Sequence, residues 1–315
     1  MSSSSGFGAQ TTTDEVLEGV DLDRRHFMIT GATSGLGEES ARALATHGAA
    51  VTMLGRDEKK LEAAQGRVAA AAPDADLRTG TVDLADLNSI REFAGDYADG
   101  GAPVDVLINN AGVMASPQLQ TKDGFELQFG TNHIGHFLLA NRLLPKVLEG
   151  SSPRIVVLSS GAHSFSDVDL DDPGFERTDY DPWVAYGRSK TANILFTREL
   201  AGRLDGRVLA FAVHPGIIQT ELTRHMEQET LDDLWDRVKD RMKTVEQGAA
   251  TQVWAATAPE LETASGSYLA NCRVGVPGDP TENEGVKEYA YDAETAKRLW
   301  TLSEEMVGES FGEPA

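Results

Sequence analysis

One cysteine, Cys272, is present in 315 residues. A single thiol excludes an internal disulfide framework and any cysteine-built zinc site within one chain, and it fits a reducing compartment. Basic residues are also scarce: 28 Lys and Arg stand against 50 Asp and Glu, a formal net charge of −22. A surface of that sign repels phosphate backbones and anionic lipid, so neither nucleic acid nor a membrane is an expected partner. No apolar run approaches the ~20 residues of a membrane span. Residues 1–8 have neither the basic nor the apolar region of a signal peptide. Together these absences predict a cytoplasmic protein. No Pro/Gly/Ser-rich linker divides the chain, and no repeat of solenoid or propeller period is found. A flexible leader over residues 1–20 and one domain over residues 21–315 are therefore expected.

What is present is a regular alternation. Residues 26–30, 50–54, 76–82, 104–108, 154–158 and 207–213 read as strands. Helical spacing fills 37–47, 57–71, 86–97, 124–148 and 185–204. The pattern predicts an α/β fold, a single-domain doubly wound parallel sheet of Rossmann-like type with helices on both faces. The nearly continuous apolar character of the strands agrees, because central parallel strands are buried on both sides. Two stretches stand apart. Residues 161–184 are polar and rich in Asp, and read as an insertion over the carboxyl edge of the sheet. Residues 217–244 are charged and helical in pattern, and read as a substrate lid.

Thr30-Gly31-Ala32-Thr33-Ser34-Gly35-Leu36-Gly37 joins the first strand to the first helix. Gly31 and Gly35 allow a tight turn and close approach to a pyrophosphate; Gly37 allows the helix to pack on the strand; the N–H groups opening the helix then face the anion. Many strand-to-helix turns are glycine-rich for steric reasons alone, so it is the position after strand one that points to a nucleotide. A P-loop is excluded, since no Lys-Ser/Thr pair follows the last glycine. Strand two ends in Gly55-Arg56-Asp57. An arginine there accommodates the 2′-phosphate of NADP, whereas an acid there grips the ribose of NAD. Arg56 comes first, which favours NADP(H), with NAD(H) left open by Asp57. The plainer reading makes Arg56 a solvated cation and Asp57 a helix cap.

Tyr186-Gly-Arg-Ser-Lys190 places a phenol and an ammonium four residues apart on one helix face. Tyrosine ionises near ~10, so it exchanges protons at neutral pH only where a positive charge lowers that value. The alternative is a surface tyrosine stacked on a lysine stem. Ser159-Ser160 ends strand five and Asn109-Asn110-Ala111-Gly112 ends strand four, so all these groups lie at carboxyl ends of strands, where such folds place their chemistry.

These motifs resemble those of the short-chain dehydrogenase/reductase family, over residues 19–269. Thr30–Gly37 is similar to its T-G-x-x-x-G-x-G, Asn109–Gly112 to N-N-A-G, Tyr186–Lys190 to Y-x-x-x-K and Pro215–Thr220 to P-G-x-x-x-T. Asn132–Phe137, Ser159–His163, Ser189–Leu200 and Glu246–Gln252 are similar to the retinol-dehydrogenase-like branch, which includes the WW-domain oxidoreductases. The resemblance implies roles. Tyr186 exchanges the proton at the substrate oxygen. Lys190 holds the nicotinamide ribose and lowers the tyrosine pKa. Ser160, rather than Ser159, binds the carbonyl, and Asn132 positions a relay water. Gly31, Thr33, Ser34, Gly35, Leu36, Gly37, Arg56, Asp83, Leu84, Asn109, Ala111, Gly112, Pro215, Gly216, Ile218 and Thr220 contact the cofactor, Asp83 at the adenine and Ile218 with Thr220 at the carboxamide.

Ser160 and Tyr186 lie 26 residues apart, a longer gap than in many members, and one shared with that branch. His133 and His136 have helical spacing but no third ligand, so they read as packing or capping residues, not a metal site. Ser160 lacks the G-x-S-x-G elbow of a serine hydrolase. The expectation is an NADP(H)-preferring oxidoreductase that interconverts a small-molecule carbonyl and an alcohol, assembled as a homodimer or homotetramer through the helices at 124–148 and 185–204. NAD-dependent alcohol oxidation, C=C reduction on the same scaffold, and a non-catalytic NADP(H)-sensing regulator are the alternatives.

Overall fold

The computed structural model describes residues 6–223, 231, 235–278 and 284–312. In chain order its main strands are β1 (His26–Thr30), β2 (Ala50–Gly55), β3 (Leu77–Thr81), β4 (Val106–Asn109), β5 (Arg154–Leu158), β6 (Leu209–His214), β7 (Tyr268–Ala270) and β8 (Arg273–Val274). They form one sheet ordered β8-β7-β6-β5-β4-β1-β2-β3, parallel except for β8. Every residue of the central strands β1, β4 and β5 is buried, whereas β3, at the edge, exposes its Arg78, Thr79 and Thr81. That difference is already visible in composition, HFMIT against LRTGT.

The helices are α1 (Thr13–Leu17), α2 (Gly35–Thr46), α3 (Glu58–Ala71), α4 (Leu87–Gly100), α5 (Gly135–Leu148), α6 (Pro182–Leu204), α7 (Val245–Thr257) and α8 (Ala293–Val307). Alternate strand residues point to opposite faces. Phe27, Ile29, Val106 and Ile108 pack with α2, α3 and α7; Met28, Leu107, Ile155 and Val157 pack with α4, α5, α6 and α8. The expected doubly wound sheet is what the chain adopts.

Four local expectations change. Residues 13–17 are not part of a flexible leader: they form α1, with Thr13, Val16 and Leu17 buried. Five residues are too few to show a helical period, although the Thr12–Glu15 capping box marked the start. The helix expected over 124–148 begins as a single turn at Leu127–Phe129 and widens to a π turn over Gly130–Ile134 before α5. The helix α6 starts earlier than residue 185, because Asp181 caps it through Trp183 N and Val184 N and Pro182 occupies its first turn. In the 217–244 stretch, Ile217–Ile218 pairs with Met242–Lys243, and residues 224–230 and 232–234 of the expected lid lie outside the described residues.

The insertion is tied down by its own acids. The Asp172 carboxylate accepts bonds from the backbone N–H groups of Glu176, Arg177 and Thr178. Arg188, two residues from Tyr186, lies over the Phe175 ring at 3.9 Å and donates to Asp172 O. The loop thus docks on α6, the helix that carries Tyr186 and Lys190. Among the described residues no helix is long and apolar enough to cross a membrane.

Candidate active site

The glycine turn is shaped by what surrounds it. Gly31 has φ +66°, and a Cβ there would lie 2.9 Å from Ala111 Cα. A Cβ on Gly37 would strike Gly31 O and lie 2.6 Å from Asn110 Nδ2. Asn110 fastens the turn from the end of β4, its amide donating to Thr30 O at 2.8 Å. Thr30 Oγ1 in return accepts from Asn110 N and Ala111 N at 2.9 and 3.0 Å. Ser34, the N-cap of α2, makes no capping bond with its side chain, which leaves the first-turn N–H groups available to an anion.

Between this turn and α6 lies a cleft of about 420 Å³. Its walls include Gly31, Thr33–Leu36, Arg56, Asp57, Lys60, Asp83, Leu84, Ala111, Gly112, Tyr186, Lys190, Pro215 and Thr220. Thr220 approaches Gly35, where a Cβ would sit 3.4 Å from its methyl. Ile218 turns away and packs toward Gly248 and Leu36, and Asn109 is fully buried with its amide outside the cleft walls. Asn110 takes the place at the cleft expected for Asn109. Asp57 does cap α3, accepting from Lys60 N at 3.1 Å, while Arg56 is exposed at the cleft with no ion pair among the described residues. A broader groove of about 810 Å³ opens near the opposite edge of the sheet around His26, Asp76 and Ser151. Both ring nitrogens of His26 are held there, by Pro103 O and Thr52 Oγ1, each at 2.8 Å, so that groove carries no free acid–base group on His26.

At the other end of the cleft four motifs meet. A Cβ on Gly112 would lie 3.2 Å from Asn132 Oδ1 and 3.7 Å from Lys190 Nζ. Lys190 Nζ stands 5.6 Å from the Tyr186 ring centre and donates to Leu158 O at 2.9 Å. Ser159 Oγ is committed to Lys190 O at 2.8 Å, which leaves Ser160 as the serine beside the phenol. Asn132, fully buried in the π turn, bonds through its side chain to Val113 N, Val113 O and Ser189 Oγ at 2.8 to 2.9 Å.

The electrostatics of the pair are set by burial. Burial pushes Tyr186 up to about 12, opposed by its hydrogen bond with Ser160, and burial pushes Lys190 down to about 7. In both, burial disfavours the charged form, the phenolate of Tyr186 and the ammonium of Lys190. His136, read from the sequence as a packing or capping residue, does more and holds the ends of the cleft together: it bonds Thr30 Oγ1 at 2.9 Å and Asn132 O at 3.0 Å. Its signal was its place four residues after Asn132, one helical turn on. Among the described residues no group of His, Cys, Asp or Glu could hold a metal ion.

A parallel sheet with a glycine turn at the end of β1, and a Tyr and Lys facing the same cleft from α6, is the frame of a dinucleotide-dependent oxidoreductase. The family model for short chain dehydrogenase matches residues 25–231. Human "Retinol dehydrogenase 14" is 40% identical over 297 residues, covering 89% of this chain and 85% of the relative. A "Probable oxidoreductase" of Streptomyces lividans is 41% identical over 292 residues, covering 89% and 97%. The crystal structure of an uncharacterized protein from Mycobacterium paratuberculosis is 36% identical with a TM-score of 0.71, covering 94% and 97%. The chain belongs to the short-chain dehydrogenase family and is an NAD(P)-dependent oxidoreductase acting on alcohols or carbonyls.

Proposed function

We propose that the enzyme uses NADP(H) and interconverts a carbonyl and an alcohol, with Tyr186 as acid and base. The observation that carries this reading is the meeting of Tyr186, Ser160, Lys190 and Asn132 at one end of a cleft whose other end presents Arg56 and Lys60. The cleft residues fit a dinucleotide: the turn leaves no room for a side chain at Gly31 or Gly37, and α2 opens toward it uncapped. Arg56 and Lys60 would hold a 2′-phosphate in a chain otherwise strongly acidic. Bound nicotinamide supplies or accepts the hydride.

The rest belongs to this chain. Ser160 orients the substrate oxygen, and Tyr186 gives it a proton in reduction or takes one in oxidation. Lys190 holds the ribose hydroxyls, and the buried Asn132 fixes the wall behind it. The names of the relatives make primary alcohols and their aldehydes the first class to screen. The net charge of −22 supports a cytoplasmic enzyme acting on dissolved substrate. Fluorescence titration with NADPH and, separately, NADH tests the cofactor assignment. Tighter NADPH binding is expected; equal or tighter NADH binding overturns the role given to Arg56. A screen of aldehydes and ketones tests the reaction, and silence on all of them favours a cofactor-sensing protein instead.

A further inference from the structure

Behind Lys190, on the side away from the cleft, a second set of polar groups is buried, and the reaction gives them no task. Leu158 O accepts from two side chains of α6, Lys190 Nζ and Asn193 Nδ2, each at 2.9 Å. Asn193 is 1% exposed. Its Oδ1 and the Nδ1 of His133 both lack a bond of ordinary geometry, yet Asn193 is the side chain that favours a proton on His133, so the two adjoin. The other ring nitrogen of His133, Nε2, lies 2.8 Å from Ser303 Oγ on α8, and Ser303 donates to Leu299 O at 2.7 Å. Asn193 Oδ1 can only accept, and its Nδ2 is spent on Leu158 O, so Asn193 calls for the proton on Nδ1; Nε2 is then an acceptor, and the Ser303 hydroxyl is shared between it and Leu299 O. The rings of Phe129, Phe137 and Phe196 wall this imidazole in, and burial holds it neutral. Buried polar groups cost stability unless paired, and apolar residues would pack α8 on α6 as well.

We propose that Ser303, His133 and Asn193 form a brace that positions Leu158 O and, through it, the Lys190 ammonium, making the C-terminal helix a working part of the active site. The proposal rests on the reading of Lys190 as the cation that holds the cofactor. Asn193 competes with the ammonium for one acceptor. Without it, both lone pairs of Leu158 O serve the ammonium and favour its charged form. The titratable groups facing Lys190 are Tyr186 on its own helix and His136 on α5, and both are retained in every variant below. Among the described residues no carboxylate contributes to its shift.

The test is the pH dependence of NADPH binding, followed by fluorescence together with melting temperature, in the parent, Asn193→Ala, Ser303→Ala and Lys190→Met. The midpoint is expected to move to higher pH by roughly half a unit or more in Asn193→Ala, and less, in the same direction, in Ser303→Ala. Unmoved midpoints overturn the brace, whatever the melting temperatures do, because packing alone would alter only the latter. Should Asn193→Ala not fold, Ser303→Ala decides the matter by itself. Lys190→Met separates the two claims. If it keeps the parent's pH dependence, the reading of Lys190 fails; if it loses that dependence while the alanine variants match the parent, only the brace does.

Discussion

The two faces of the sheet are filled differently. Under α2, α3 and α7 the interior is mostly hydrocarbon, and its buried polar side chains are chiefly the Ser40–Gln252 pair, Glu39 beside Thr13, Thr251, and Arg154, which donates to Ala255 O. Under α5, α6 and α8 the chain buries Asn132, His133, His136, Ser189, Lys190, Asn193 and Ser303. Uncompensated, such groups would cost several kcal/mol in total. Most are compensated by one another and by main-chain carbonyls, so the second face is a scaffold for placing charge and protons. The first face works by shape, holding a helix start and a glycine turn where an anion can reach them. Removing the proton-transfer group of the polar face should therefore stop turnover and spare binding, whereas filling space at the glycine turn should act first on binding.

Tyr186→Phe is the strongest challenge to this division. Turnover should fall roughly 10³-fold, the upper range for loss of a general acid–base group, while NADPH titrates as in the parent. Substantial residual turnover would mean that another group moves the proton. Gly37→Val is its counterpart. The new side chain collides with Gly31 O and the Asn110 amide, so NADPH affinity should drop by on the order of 100-fold while the melting transition persists. Intact binding would show that the turn does not cradle the cofactor.

The shape-based face was the more legible one in the sequence. Glycines at 31, 35 and 37 after an apolar strand announce their geometry locally, because the backbone itself is the ligand-facing surface. Strand and helix order followed from the same local periodicity. The polar face was read only in part: Tyr186, Lys190, Ser160 and Asn132 stood in motifs, but Ser303 lies 170 residues from His133, and no spacing links them. The burial of the Tyr186–Lys190 pair was not legible for a related reason. Four residues of helix set proximity, whereas desolvation depends on how the whole domain closes over the pair. Asn109 and Asn110 were misassigned because one residue of strand register decides which side chain meets the cleft.

Smaller effects sharpen the contrast. Arg56→Ala should weaken NADPH about tenfold and leave NADH nearly unchanged, the loss of a charge-assisted bond at an exposed site. Equal loss for both cofactors would move Arg56 from the 2′-phosphate to the pyrophosphate. Lys190 adds a pH signature. Held near 7, it is charged below that value, so NADPH affinity should fall as pH rises through about 7. Stability runs the other way: between about 7 and 10.5 the unfolded chain holds a proton that the folded chain has lost, so the parent gains stability as pH rises through that window, and its deficit against Lys190→Met is full below about 7 and shrinks toward 10.5. Urea melts at pH 6 and 9 compare the two.

Leu17→Ala should leave the chemistry untouched. Leu17 is fully buried where α1 packs on α2 and α7, and α2 ties α1 down twice: Arg42 pairs with Asp14 at 2.8 Å, and Glu39 accepts from Thr13 Oγ1. Removing its side chain should cost about 2–5 kcal/mol, seen as an earlier urea midpoint with an unchanged slope. Below the transition, kcat and NADPH affinity should match the parent, since nothing in α1 lines the cleft. If affinity falls as well, α1 acts through α2 on the glycine turn, and the apolar face is then a lever on cofactor binding rather than a passive wall.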